Sequence, residues 1–518
     1  MNAMLPIHSL TLVGGLQALK KPGVKLTADT RELNHGDIFL AYPTGNKRQL
    51  TDNRIHISTA LAKGAAGVLY EPSNLDSHLQ DVCKDERCIA VPNLGELAGE
   101  ICAEWYDHPS RQMRVIGVTG TNGKTTVAQW LAQALDDSDR RCATIGTLGA
   151  GFLGDLKPNG FTTPDACRLQ ELLFSLLKDH SHSVAIEVSS HALDQGRVNG
   201  IEFDTVIFTN LTQDHLDYHG DIQEYGKAKS KIFGLPGIKH IVLNIDDAFG
   251  RASFDGLRGQ LGASQDIWLY GLGEIDNSIN VRDLSPHVRN LRATQLNMGV
   301  VGNSFCVELD GQKLGDVATQ LIGDFNVSNT LAVLGTLLAS GMSFEEAKVK
   351  IEQLKPVIGR LEILRPRSAQ MPIAVVDFAH TPDALEKVLK VLRPLAQSRG
   401  GKLWCLFGCG GDRDPIKRSV MGGIAEKLAD HVTVTSDNPR SEDPQIIAEQ
   451  ILQGMQNADK AFVNLDRANA ILQTIRAARP EDVVLVAGKG HEQTQEMAGK
   501  RLPFSDQLHV EIAMGGLL

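Results

Sequence analysis

Apolar and polar positions along the chain follow two rhythms. In the first hundred residues, short apolar runs at 37–41 and 67–70 are separated by stretches with helical spacing at 57–63 and 94–106, the pattern of a small α/β unit. A proline-containing break at 107–112 precedes a strong run at 115–118, a glycine-rich loop, and an apolar stripe at Val127, Trp130, Leu131, Ala134 and Leu135. That stripe has the i, i+3, i+4, i+7, i+8 spacing of an amphipathic helix. Further runs at 184–188, 205–209 and 241–245, with helical stretches between them, predict a mainly parallel, doubly wound sheet. After 357–362 the alternation restarts, with runs at 373–376, 403–407, 432–435 and 483–487 implying a second open α/β sheet. The expected architecture is α/β in three domains, 1–110, 111–356 and 357–518, the last Rossmann-like, with short connections that suit hinged domains.

Length agrees with this division: 518 residues exceed one core at about 100 to 200 residues per domain. With 42% hydrophobic and 22% charged residues, the composition is that of an ordinary globular protein. The formal net charge of −10 comes without long like-sign blocks, which argues against nucleic acid as the main ligand, because phosphate backbones demand a basic face. The eight cysteines are scattered, and neither Cys83/Cys88 nor Cys405/Cys409 forms a C-x-x-C hook, so reduced thiols are expected rather than disulfides or zinc. The first lysines follow the first apolar residues, the reverse of a secretory leader, and no run approaches about 18 apolar residues. A cytoplasmic protein without membrane insertion is expected.

The chemistry concentrates at strand ends. Gly120, Thr121, Asn122, Gly123, Lys124, Thr125 and Thr126 lie where the run at 115–118 gives way to the amphipathic stripe. Glycines there let backbone N–H groups curl toward phosphate oxygens, Lys124 faces the β/γ charge, and the Thr125 hydroxyl suits Mg²⁺. The strict phosphate-loop pattern needs glycine at 118, where this chain has Val118, so the match is a variant. Glu187 ends the run at 184–188 and, as a carboxylate at the carboxyl end of a parallel strand, is a natural Mg²⁺ ligand. The stretch 210–220 gathers Asp214, His215, Asp217 and His219 after another strand; spacing alone leaves His215 and His219 open as site residues.

Taken in order, TGTNGKTT at 119–126, TTP at 162–164, EVSSHAL at 187–193, FTNLTQDHLDYHG at 208–220, AKSKIF at 228–233, FNVSN at 325–329, GRLE at 359–362 and DFAHTPDAL at 377–385 resemble the Mur ligases. These are ATP-dependent amide ligases that build the peptide stem of peptidoglycan, and the resemblance covers nearly the whole chain. GCGGDRD at 408–414, DNPR at 437–440 and AGKGHE at 487–492 look like those members that add meso-diaminopimelate to UDP-N-acetylmuramoyl-L-alanyl-D-glutamate.

The resemblance implies ATP and Mg²⁺ as cofactors. Gly120 to Thr126 would wrap the phosphates with Lys124 on the γ-phosphate, and Glu187 and His215 would join Thr125 around magnesium. Lys229 would be carried as a carbamate (N6-carboxylysine) that helps hold a second magnesium; the change is chemically required, since an ammonium cannot ligate a cation. Asn329, Arg360 and Asp377 would lie near the nucleotide, with His380 in the same loop. Thr30, Thr162, Thr163, Ser189, Gln195 and Arg197 would meet the UDP-muramoyl dipeptide. Thr30 stands where a serine is usual, and Asn46-Lys47-Arg48 occupies a uridine-contacting loop. The first domain would thus bind the UDP-sugar, the central domain ATP, and the third the amino acid.

The runs at 403–407 and 432–435 precede Arg413 and Asp437-Asn438-Pro439-Arg440, so both arginines should project into one crevice, where their planar forks suit carboxylates. Pro439 would fix the turn that aims Arg440, and Glu492 with the Gly488 carbonyl would accept from a distal amine. Diaminopimelate exceeds lysine by one carboxylate, and a buried arginine left without it stays unpaired. Such sites reject the lacking analogue by on the order of 10⁴ to 10⁵. A lysine-adding ligase should lack the DNPR arginine, and a nucleotide switch or transporter-type ATPase has no use for the arginine crevice.

Overall fold

A computed structural model describes residues 19–46, 48–259, 262, 265–273, 287–365 and 370–515. The N-terminal stretch on which the absence of a leader was read, up to residue 18, and Lys47 of the expected uridine loop lie outside the described residues. The chain divides into two compact units, 1–209 with 223–269 and 285–289, and 210–222 with 270–284 and 290–518.

In the first unit, strands run in the order His240–Asn244, Thr205–Phe208, Arg114–Thr119, Ser181–Glu187, Arg141–Gly146, Gly149–Gly151. All neighbours are parallel except the last pair. Parallel strands covered on both faces read as unbroken apolar runs, and Val115, Ile116, Val118, Val184 and Ile186 are indeed fully buried. The helix Lys124–Leu135 buries Val127, Trp130, Leu131 and Ala134. Gly117, one place early for the strict phosphate-loop pattern, has a packing role: a Cβ there would stand 2.8 Å from the Phe203 ring.

The N-terminal part of this unit holds a parallel four-stranded sheet, Leu26–Thr27, Ile38–Ala41, Gly67–Tyr70, Cys88–Ala90. Leu26, Ile38, Leu40 and Leu69 share a core with Ile101 and Trp105 of the helix Leu94–Trp105 and with Ala166 and Cys167.

The second unit carries a six-stranded sheet, Glu362–Leu364, Ile373–Asp377, Val483–Ala487, Leu403–Phe407, His431–Val434, Phe462–Val463. Only its first edge is antiparallel. Both faces are covered. Val375, Phe407 and Leu485 pack on Leu389, Met421 and Ile447 from one set of helices. Val376, Leu406 and Val486 pack on Ile471 and Val510 from another. This is the second doubly wound sheet that the apolar runs imply. The runs did not foretell the antiparallel ladder of Val288–Met298, Asn303–Leu309 and Gln312–Thr319, because Gln312–Thr319 is largely exposed or half-buried and presents no apolar run. Among the described residues no helix is long and apolar enough to cross a membrane.

Candidate active site

The first unit assembles the phosphate loop around buried oxygen and nitrogen atoms. Gly120 and Gly123 have φ of 145° and 88°, a backbone that side chains disfavour, and Gly123 immediately precedes the helix that opens at Lys124. The Lys124 ammonium donates to the Gly120 and Thr121 carbonyls, both at 2.9 Å. The Thr209 hydroxyl donates to the Asn122 carbonyl at 2.6 Å, tying the loop to the end of the adjacent strand.

Glu187, the last residue of its strand, is 1% exposed. Its Oε2 accepts from the Thr125 hydroxyl at 2.8 Å and the Thr147 hydroxyl at 3.1 Å, and its Oε1 from the Thr147 amide at 2.8 Å. A Cβ on Gly146 would lie 2.1 Å from Oε1, so this glycine is what makes room for the carboxylate. A buried carboxylate flanked by hydroxyls is a hard oxygen donor set, and it fits Mg²⁺. Lys229 is equally buried at 1% exposure. It donates to the Gly120 carbonyl at 2.7 Å and lies 4.4 Å from the centre of the Tyr225 ring. Thr147 and Gly146 were not singled out from sequence, because nothing in their local pattern marks them; only the fold brings them against Glu187.

Five of the substrate residues expected in this unit, Thr162, Thr163, Ser189, Gln195 and Arg197, form one chain of contacts, and Thr30 lies outside it. Thr162 and Thr147 share a hydroxyl contact at 3.1 Å. The Thr163 hydroxyl donates to the Glu187 carbonyl at 2.7 Å and accepts from the Ser189 amide at 3.0 Å. Ser189 caps the short helix Ser190–Asp194 through the Ala192 amide. Arg197 donates to the Gln195 side-chain oxygen at 2.6 and 2.9 Å and to the Thr163 carbonyl at 2.9 Å. Thr30 is buried in the N-terminal sheet region, where its carbonyl accepts from Lys63 at 2.7 Å.

In the second unit, buried Asp214 sits 3.4 Å from His215 Nε2 and 3.8 Å from His380 Nε2. Although burial opposes its charge, His215, His380 and Lys417 together hold its carboxyl well below the usual range. Asp214 and Lys417 were not picked as site residues from sequence, since Lys417 lies some two hundred residues away. Asp377 ends a strand and accepts from the Leu361 and Ala379 amides, both at 2.7 Å; burial raises its carboxyl, and the Arg360 charge works the other way. The Arg360 guanidinium stacks 4.3 Å from the centre of the Phe378 ring. Asn329 is buried in the helix Asp324–Ala339, 3.5 Å from the Asn326 side-chain oxygen.

The two arginine loops meet through close glycine packing. A Cβ on Gly411 would stand 2.0 Å from the Pro439 carbonyl, one on Gly410 3.0 Å from Arg440 Nη1, and one on Gly488 2.5 Å from Asp437 Oδ2. Arg440 adopts a left-handed backbone, φ 52°, and donates from Nη1 to the Gly411 carbonyl at 2.6 Å. Burial and the neighbouring Arg413 both depress the basicity of Arg440, against the pull of Asp437, Glu496 and Glu492. Arg413 is exposed, and the same Cβ on Gly410 would stand 3.7 Å from its Cγ, so both arginines border one glycine. Glu492 accepts from Asn438 at 2.9 Å and from Lys489 at 2.6 Å. Beneath these loops the fully buried Arg467 is bidentate to Asp506 at 2.7 and 2.8 Å and donates to the Ser436 and Ala487 carbonyls. It therefore ties the strand end leading to DNPR to the one leading to Gly488.

A phosphate loop opening a helix on a doubly wound sheet, with a buried carboxylate at the neighbouring strand end, defines a P-loop nucleotide-binding enzyme. Residues 118–337 match the Mur ligase middle domain, and residues 359–490 the Mur ligase glutamate ligase domain. A UDP-N-acetylmuramoyl-L-alanyl-D-glutamate–2,6-diaminopimelate ligase of Ralstonia nicotianae is 49% identical over 501 residues, 96% of this chain and 94% of that protein. The chain belongs to the Mur ligase family. A solved structure of another UDP-N-acetylmuramoyl-L-alanyl-D-glutamate–2,6-diaminopimelate ligase resembles it with a TM-score of 0.61 and 32% identity, covering 96% of this chain and 95% of that one. MurF ligase from Thermotoga maritima in complex with ADP shares the fold with a TM-score of 0.59 at 16% identity, covering 96% of this chain and 99% of that one.

Proposed function

We infer that this chain is the ATP-dependent ligase that joins meso-diaminopimelate to the D-glutamate of UDP-N-acetylmuramoyl-L-alanyl-D-glutamate in peptidoglycan precursor synthesis. The single structural observation supporting the substrate half is that Arg413 and Arg440 border the same Gly410, while Asn438, two residues before Arg440, bonds Glu492. This arrangement offers a carboxylate receptor and an ammonium receptor on adjacent loops, matching the two ends of a diamino diacid.

The D-glutamate γ-carboxylate attacks the γ-phosphorus of ATP. The carboxylate O–P bond forms as the β–γ bridging bond breaks, giving an acyl phosphate and ADP. Lys124, now folded onto the Gly120 and Thr121 carbonyls, turns to the transferring phosphoryl group and stabilises its charge. The neutral amine of diaminopimelate then attacks the acyl carbon, and the tetrahedral intermediate collapses with loss of phosphate. Thr125, Glu187, His215 and carbamylated Lys229 are the residues that would hold Mg²⁺, which would supply charge neutralisation on the phosphates. Asn329, Arg360 and Asp377 bind the nucleotide, with His380 beside them. Thr30, Thr162, Thr163, Ser189, Gln195 and Arg197 bind the UDP-muramoyl dipeptide. Arg413, Asp437, Asn438, Pro439, Arg440, Gly488 and Glu492 form the amino-acid site. Positioning of three reactants can supply about 7 to 11 kcal/mol of the barrier. The three domains, 1–110, 111–356 and 357–518, each bring one of them, and the enzyme acts as a cytoplasmic monomer.

The test is ADP release by purified protein. Turnover should need both the UDP-muramoyl dipeptide and diaminopimelate; hydrolysis independent of them overturns the reading.

A further inference from the structure

Lys489 has no role in the mechanism above, but it is fully buried at 0% exposure, where a lysine is found only when well paired. It stands one residue beyond Gly488 at the end of the strand Val483–Ala487. Its ammonium donates to Asn438 Oδ1 at 3.0 Å and to Glu492 Oε2 at 2.6 Å. Asn438 Nδ2 donates to that same Oε2 at 2.9 Å, while Oδ1 also accepts from the Glu496 amide at 2.9 Å.

Two consequences follow from this bonding. The Asn438 amide has one orientation, because its oxygen faces two donors and its nitrogen faces an acceptor. Among the described residues both side-chain bonds to Glu492 fall on Oε2, so Oε1 is the oxygen that can meet a ligand. Without the ammonium, among the described residues the Asn438 oxygen keeps only the Glu496 amide, and the Glu492 carboxylate keeps only one neutral donor. The aim of the Glu492 carboxylate would then rest on the Asn438 amide nitrogen alone.

We infer that Lys489 is a positioning residue for amino-acid recognition: it locks Asn438 and Glu492 together, so that Glu492 Oε1 meets the distal ammonium of the incoming amino acid. The inference rests on the diaminopimelate reading given above. The lysine acts through its two partners and touches no substrate itself.

Steady-state ADP release with the full chain tests it. Lys489→Met keeps the unbranched apolar stem, one atom shorter, and removes its donors. Its KM for diaminopimelate should rise about 10- to 100-fold with the KM for ATP within about threefold, the scale of one lost charged hydrogen-bond set. Because Lys489 works through Glu492, the double variant Lys489→Met/Glu492→Gln should be little worse than Glu492→Gln alone. An unchanged KM for diaminopimelate, equal rises for both substrates, or additive losses overturn the inference. If melting curves show Lys489→Met unfolded, Lys489→Arg carries the same test, since it keeps the charge but not the reach; its diaminopimelate KM must rise at least about tenfold with ATP unaffected. Wild-type protein that turns over without diaminopimelate refutes the functional reading, whereas a normal wild type with an indifferent Lys489 variant refutes only this inference.

Discussion

The phosphate loop and the arginine crevice solve the same problem, holding charged groups at strand ends, by opposite means. At the loop the receptor is mostly backbone: glycines in left-handed or extended geometry, a helix N-terminus, and one lysine, with Glu187 held by two threonines. At the crevice the candidate receptor is mostly side chains: Arg413, Arg440 and Glu492, drawn from three loops, with Glu492 braced by Lys489 and the strand ends tied below by the Arg467–Asp506 pair. Backbone receptors are read by any phosphate, because every peptide offers the same N–H. Side-chain receptors carry identity, because a lost partner leaves a buried charge unpaired. The first region should thus control turnover and the second should control choice.

Substitutions can break that contrast. Lys124→Ala should lower kcat by about 10³-fold, close to 4 kcal/mol, by removing charge stabilisation of the transferring phosphoryl group. The KM for diaminopimelate should stay near wild type; a selective rise in it would erase the division of labour. Arg440→Ala should raise the KM for diaminopimelate about 100-fold with that for ATP unchanged, a cost near 2.7 kcal/mol. Equal effects on both would refute its assigned role. Gly146→Ala places a methyl where the Glu187 carboxylate now lies, and a displaced Glu187 should cost about tenfold in kcat with the amino-acid KM unaltered. Wild-type kcat in this variant would mean that Glu187 is not needed in its observed position.

The smallest effect concerns pH and lies beside the crevice. His491 is pushed down to about 3, chiefly by burial and then by Arg360 and Lys489. Among the described residues its buried Nδ1 has no hydrogen-bond partner. The folded state therefore resists protonation that the unfolded chain accepts near pH 6.5, so the native advantage is complete above that pH. It is lost as pH falls from about 6.5 toward 3, by at most about 1.4 kcal/mol per unit. Urea midpoints for wild type should fall across that window, and His491→Phe, which keeps a ring against Phe378, should flatten the slope. Identical slopes would remove His491 as their source.

Much of the fold was legible because buried parallel strands need continuous apolar runs. The stretches at 403–407 and 483–487 are strands with those bounds, and 373–376 lengthens by one residue to take in Asp377. The ladder that includes Asn303–Leu309 and Gln312–Thr319 was not legible, since a half-exposed antiparallel edge needs no such run.

By itself the sequence determined the local chemistry: a glycine-lysine-threonine loop between strand and helix, a carboxylate at a strand end, and arginines just past two others. Each depends on neighbours a few residues apart, which a pattern can display. Only the tertiary structure decided which groups face one another. It set Gly146 and Thr147 against Glu187, Lys417 beside Asp214, and Lys489 between Asn438 and Glu492. Those meetings join residues that are mostly tens to hundreds of positions apart, and they are made by strand order and close glycine packing, which local spacing does not encode.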